Sequence, residues 1–198
     1  MSSKKRKRVR DKWRGKDWYL IVCPSYFGGT ELGAVPSDDP KKLVGRTLDA
    51  TLYDLTNDFA HHYLKLYFQV TNVDGKTANT IFKGHEYSRD YLRSLVRRRT
   101  TRVEALFSAT TKDGYQLRLG ICAFTLVRIK TSQEKAIRDL MKRIAQEKAS
   151  TLTFDQFVQE MVLQKIASDI YNEAKKIAPL RHVGVRKSKL TLQPTIAA

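Results

Sequence analysis

The chain has 198 residues, 41% of them hydrophobic and 29% charged, with 37 Lys or Arg against 20 Asp or Glu and a formal net charge of +17. That is enough apolar material for one core, under a surface whose natural partner is a polyanion, nucleic acid first. No stretch approaches the ~18 apolar residues of a membrane span, and the start MSSKKRKRVR lacks the apolar region of a secretory signal, so neither is expected.

Cys23 and Cys122 are the only cysteines, without CxxC or zinc-site spacing. They read as two reduced core thiols rather than as a disulfide or metal framework.

In chain order, residues 1–16 read as a basic arm. Lys4, Lys5, Arg6, Lys7, Arg8, Arg10, Lys12, Arg14 and Lys16 are opposed there only by Asp11. Such a run cannot be packed and stays solvated until it meets a polyanion. Trp13, Trp18 and Tyr19 interleave with charge at its end; Trp18 and Tyr19 are expected to anchor the arm onto the core. From Cys23 to Pro40 the density of Gly and Pro predicts an extended, irregular segment.

Period two then sets in. Leu48, Ala50 and Leu52 alternate with Asp49, Thr51 and Tyr53, and Leu64, Leu66, Phe68 and Val70 alternate with Lys65, Tyr67, Gln69 and Thr71. Asp74-Gly75 supplies a hairpin turn to a returning strand over 77–83. Ser88 is a good N-cap for a helix carrying Tyr91, Leu92, Leu95 and Val96 at helical spacing, with Arg89, Arg93 and Arg97 lining one face. A second hairpin turns at Asp113-Gly114, between a strand bearing Val103, Ala105, Phe107 and Ala109 and a long strand over 115–127. The latter is apolar on both faces in its second half, as in a central strand.

Two capping-box patterns, 131–134 and 153–156, open helical segments. The first carries a stripe of Ile137, Leu140, Met141 and Ile144; the second is expected to break near 164–168 and to end at Pro179. A last strand over 180–192 carries Arg181, Arg186, Lys187 and Lys189 and no acid. Strands, then helices, then a strand predict an α+β fold: a twisted, barrel-like, mainly antiparallel sheet with packed helices. The expected division is the arm (1–16), one RNA-binding domain (17–192) and a short tail (193–198).

Catalytic constellations are scarce. Asp54 and Asp58 could share a Mg²⁺ as in a nuclease, but they stand where turns and helix starts favour Asp. His61 and His62 lack partners at ligand spacing, and His85 and His182 read as surface or RNA-facing imidazoles. No phosphate loop or nucleophile elbow is present. No catalytic residue, metal or cofactor is expected, and no small-molecule substrate.

Nucleic-acid binding stands on basic clusters in the arm, at 89–102, at 130–148 and in the tail strand. Acids punctuate the third of these. Arginine suits the task because its planar fork engages two phosphate oxygens and its face stacks on bases.

The order of short motifs resembles a known family. Lys16-Asp17-Trp18-Tyr19 is followed by Asp54-Leu55-Thr56-Asn57-Asp58, then Ser88-Arg89-Asp90, then 111–119 (TKDGYQLRL), then Pro179-Leu180-Arg181-His182-Val183 and Val185-Arg186-Lys187. This is similar to the archaeal and eukaryotic small-subunit ribosomal protein family S3Ae, or eS1, over about 16–190, and the chain length is closer to the archaeal type. The resemblance implies a structural, non-catalytic protein in the cytoplasmic ribosome, on the platform of the small subunit near the mRNA exit and the 3′ end of the small ribosomal RNA. Its implied partners are small-subunit ribosomal RNA, neighbouring small-subunit proteins and exiting mRNA, with no membrane. The alternative is an RNA-binding regulator outside the ribosome. The candidate RNA-binding residues are the arm cations named above with Arg89, Arg93, Arg97, Arg98, Arg99, Arg102, Arg118, Arg181, Arg186, Lys187 and Lys189.

Overall fold

A computed structural model describes Trp13 and residues 15–194. The arm residues Lys4, Lys5, Arg6, Lys7, Arg8, Arg10, Lys12 and Arg14, and the end of the tail at 195–198, lie outside the described residues. In chain order the elements are β1 (Asp17–Val22), β2 (Glu31–Ser37), β3 (Thr47–Thr51), α1 (Leu52–Thr56), β4 (Leu64–Asp74), β5 (Thr77–Tyr87), α2 (Arg89–Leu95), β6 (Arg102–Thr110), β7 (Gln116–Thr125), α3 (Thr131–Thr151), α4 (Phe154–Val162), α5 (Lys165–Ala174) and β8 (Leu180–Leu192). The fold is α+β, as the sequence predicts.

The alternation in β4 is the pattern of a strand with one buried face. Leu64, Leu66, Phe68 and Val70 are buried, while Lys65 and Thr71 are exposed. Gly75 takes a φ of 60° in the turn that sends the chain back along β5. Strand β5 is longer than the sequence suggests and organises the sheet. It pairs with β4 along one edge; its other edge pairs with β1 at 77–79 and with β8 at 84–86. Strand β7 lies between β6 and β8, and its second half is apolar on both faces because the helical layer covers Ile121 and Ala123 while α2 covers Cys122 and Phe124. The eight strands make one open sheet, antiparallel except for the β1–β5 pair.

Helices α3, α4 and α5 cover one face. Ile137, Met141, Ile144, Phe157, Val162, Ile166 and Ile170 pack there against Val103, Ala105, Leu117, Leu119, Ile121, Val183 and Val185. The opposite face is bare except at one end, where Tyr91, Leu92 and Leu95 of α2 meet Cys122 and Phe124.

The structure departs from the sequence expectations where long-range partners decide. The 23–40 segment holds β2, an edge strand paired with β1, and a 3-10 turn whose Tyr26 and Phe27 pack on the core. Tyr19 is buried as expected, but Trp18, one residue away on the other side of β1, is 60% exposed. The alternation at 48–53 ends early, because a reciprocal Thr51–Asp54 capping box starts α1 at Leu52. At α3 the cap lies one residue earlier than expected: Lys130 N–H donates to Gln133 Oε1 at 3.1 Å. Thr153 makes no side-chain cap; Asp113, from the β6–β7 turn, accepts from Phe154 N–H at 2.8 Å instead. The break before α5 falls at Gln164, with φ 61°.

His85 overturns its surface reading. It is 1% exposed, with Nε2 2.9 Å from the Val185 carbonyl and Nδ1 2.7 Å from Ser188 Oγ. That pairing suits a neutral ring donating from Nε2 and accepting at Nδ1. Burial drives its pKa down to about 4, against the smaller opposing pull of the Val185 carbonyl. The unfolded imidazole titrates near 6.5, so between pH 6.5 and 4 the unfolded chain binds more protons, and stability falls as pH falls through that window. This group should remove about 3 kcal/mol of stability between pH 7 and 4. Denaturant midpoints for the protein and its His85→Gln variant across that range check it; the variant should lose less.

Candidate nucleic-acid interface

Because side chains alternate across a strand, burying Leu117, Leu119 and Ile121 of β7 sends Arg118 and Gly120 to the helix-free face. Register then sets the neighbours. Arg118 stands opposite Lys189 of β8, which stands opposite Gly84 of β5, which stands opposite Tyr67 of β4. The next row runs Gly120, Lys187, Glu86 and Lys65. The glycines keep these rows low between the cations. A Cβ at Gly84 would lie 2.3 Å from the Ser188 carbonyl oxygen, so no larger residue fits that position.

Three carboxylates lie on this face: Glu86, Glu104 and, opposite Tyr67 at the β3 end of its row, Asp49. Glu86 takes Lys187 Nζ at 2.8 Å and the Tyr67 hydroxyl at 2.8 Å. The Lys187 contact is the main reason the Glu86 carboxyl titrates below its usual range, and burial with Glu86 beside it pushes the Tyr67 phenol up to about 12. Glu104 pairs with both Arg102 and Arg186, the latter at 3.3 Å. Arg118 and Lys189 have no carboxylate within ion-pair distance among the described residues, so the adjacent pair presents its full charge to solvent.

The arginine cluster at one end of this face is arranged differently from the sequence expectation. Ser88 caps α2 as predicted, accepting from Tyr91 N–H at 3.2 Å. But α2 ends at Leu95, and Val96 is already extended, so Arg97 is not on the helical face of Arg89 and Arg93. The Arg181 guanidinium donates to the Leu95 carbonyl at 3.4 Å, using an acceptor that a further turn would have needed. Arg97, Arg98 and Arg99 instead form an exposed turn, Arg99 with φ 59°. Arg89 and Arg93 are exposed on α2, Arg93 3.9 Å from Asp90. Lys16 places its Nζ 4.1 Å from the Trp13 ring centroid.

The third basic cluster of the sequence is not part of this surface. Arg138 donates to the Glu104 carbonyl at 2.9 Å; Arg143 meets Glu173, and Lys148 meets Asp169 and Glu160. Residues 130–178 hold nine Lys or Arg and seven Asp or Glu, so the helical layer is almost neutral. Sequence reasoning did not single out Lys65, Tyr67, Glu86 and Glu104; the outward phase of the β4 alternation marks the first two, whereas the carboxylates need the sheet register.

Asp54 caps α1 and Asp58 accepts from Ala60 N–H, and no group of three His, Cys, Asp or Glu is placed to hold a metal ion among the described residues. A groove of about 420 Å³ between α3 and α5 is lined by the ion-paired Glu147, Lys148, Asp169 and Glu173, away from the basic face. No described helix is long and apolar enough to cross a membrane.

A sequence profile of the Ribosomal S3Ae family matches residues 4–194. The chain belongs to the Ribosomal S3Ae family. It is 51% identical over 195 residues to the small ribosomal subunit protein eS1 of Desulfurococcus amylolyticus, covering 98% of this chain and 92% of that protein. It is 50% identical over 192 residues to the eS1 protein of Archaeoglobus fulgidus (96% and 91% covered) and 46% identical over 197 residues to that of Sulfolobus acidocaldarius (99% and 100%).

In this S3Ae-family chain both thiols are buried and unpaired. Desolvation pushes Cys23 up to about 11 and Cys122 up to about 12. Native protein at pH 8 should therefore react with Ellman's reagent only as fast as it unfolds, and both thiols should react at once in denaturant. Rapid reaction of either in the native state would place it at the surface.

Proposed function

We propose that this protein is a structural component of the small ribosomal subunit that binds ribosomal RNA with the helix-free face of its sheet. The observation that carries this reading is the cross-strand Arg118–Lys189 pair, uncompensated by acid and set beside Lys65, Lys187, Arg186 and the α2 arginines. Family membership and relatives that are small ribosomal subunit proteins support it. The arm, with a net charge of +8 over 1–16, adds a second contact that runs along or between RNA helices. The family resemblance favours a position on the platform, near the mRNA exit and the 3′ end of the ribosomal RNA. Neighbouring small-subunit proteins and exiting mRNA are the further partners, the location is the ribosome, and no catalysis is involved.

Mechanistically, RNA phosphates replace water and counterions around fixed cations. Counterion release supplies much of the affinity, and RNA shape rather than base sequence supplies specificity. The acid-paired cations keep their positions: each carboxylate restrains a cation in one place, where a phosphate oxygen competes for its remaining donors.

Titrating a small-subunit RNA fragment at several salt concentrations tests this. Arg118→Ala with Lys189→Ala should reduce the log K against log salt slope by about 1.5 and leave the circular dichroism spectrum unchanged. An unchanged slope removes the sheet face from the interface. Deleting 1–14 should also weaken binding and lower the slope while the core stays folded; loss of the folded spectrum would make the arm part of the core. Co-sedimentation with small subunits through moderate salt separates the ribosomal reading from a free RNA-binding regulator.

A further inference from the structure

The segment between Arg46 and Lys65 is the electrostatic exception in this chain. It contains none of the 37 Lys and Arg and carries Asp49, Asp54 and Asp58. It also displays the most exposed large apolar side chain among the described residues, Phe59, at 72%, with Tyr53 at 41%. The Tyr53 ring meets Phe59 edge-on at 5.9 Å, and His62 stacks on Phe59 at 4.9 Å with 20° between the planes.

This display is built rather than loose. Thr51 N–H donates to Asp54 Oδ2 at 2.8 Å in the box that starts α1. Asn57 turns the chain with φ 55°, a conformation Asn tolerates better than most residues. Asp58 Oδ1 then accepts from Ala60 N–H at 2.9 Å, and His62 Nδ1 lies 2.9 Å from the Phe59 carbonyl. The frame holds three rings together at the surface, where leaving apolar area in water is unfavourable.

We propose that the Tyr53–Phe59–His62 stack is a docking surface for a cationic segment of a neighbouring protein. Lys or Arg side chains of that segment meet Asp54 and Asp58, and their cationic ends or apolar stems cover the rings. Charge selects this occupant over RNA. Phosphates would approach Asp54 and Asp58 with no Lys or Arg in the segment to offset them, while the cations that suit RNA lie on the sheet face and α2. Arg46 and Lys65 flank the segment in sequence, Arg89 follows Ser88, whose N–H donates to the Tyr63 carbonyl at 2.8 Å, and Lys165 follows Gln164, whose amide donates to the Tyr63 hydroxyl. The inference rests on the small-subunit reading, which supplies a particle with adjacent proteins.

The test is a photo-crosslinking residue at Phe59, and separately at Lys189, in small subunits purified from cells carrying each variant. Crosslinks from Phe59 to a Lys- or Arg-rich peptide of another protein are expected, and crosslinks from Lys189 to ribosomal RNA. Crosslinks from Phe59 to RNA, or none from particles that contain the variant, overturn the docking surface while the Lys189 result still stands for the RNA reading. Absence of the protein from the particles overturns both. Phe59→Ser should leave this protein in the particle and lower retention of the crosslinked neighbour in a high-salt wash about tenfold; unchanged retention overturns the proposal.

Discussion

One-sided burial of the sheet is the constraint on which the rest depends. Strands β6, β7 and β8 put Val103, Ala105, Leu117, Leu119, Ile121, Val183 and Val185 under α3, α4 and α5. With a side-chain period of two, this sends Arg118 of β7 to the other face; in β8 the register shift opposite Gly120 and Ile121 flips the phase, so that Ser188 and Leu190 continue the buried set and Lys187 and Lys189 join Arg118. A register slip of one residue between β7 and β8 would bury cations and expose the core, so the same apolar packing that stabilises the fold enforces the geometry of the basic surface.

The division of charge follows. The helical layer, at nine cations and seven acids, leaves fifteen of the seventeen net positive charges to the arm, the sheet, its connections and the tail strand. Ion pairs such as Lys148–Asp169 and Arg143–Glu173 lie across helix surfaces, where exposed pairs contribute little stability each. Their effect is on the field: they keep the helical side close to neutral. Segment 47–64 takes the separation further by excluding Lys and Arg altogether.

Local signals were legible and non-local ones were not. The β4–β5 hairpin, the Ser88 cap, the two-sided burial of β7 and the basic β8 strand could all be read, because turn residues, caps and alternation act over a few positions. Strand β2 could not, since Gly33 and Pro36 weaken any strand signal and only its pairing with β1 defines it. Arg97 shows the same limit: spacing continued the helix, but Arg181, 86 positions after Leu95, takes the Leu95 carbonyl and the chain turns toward β6. His85 looked like an isolated polar residue until β8 supplied Ser188 and the Val185 carbonyl. For the candidate site, the sequence named the cations but not the acids that fix them, because Glu86 and Glu104 become neighbours of Lys187 and Arg186 only through register.

Those acids bear on how a cationic face works. A fully uncompensated set of lysines would attract RNA strongly but leave each long side chain to be ordered on binding, at an entropic cost of about 1 kcal/mol or more apiece. Glu104 restrains two arginines and Glu86 restrains a lysine with a tyrosine, so part of that ordering is present before contact. Each carboxylate subtracts one charge, yet the Glu104 cluster keeps a net positive charge and the Glu86 cluster lies beside Lys65 and Lys189. Arg118 and Lys189 supply the unscreened attraction between them. The face thus combines fixed donors with free charge, an arrangement matched to a rigid, folded polyanion more than to a flexible strand.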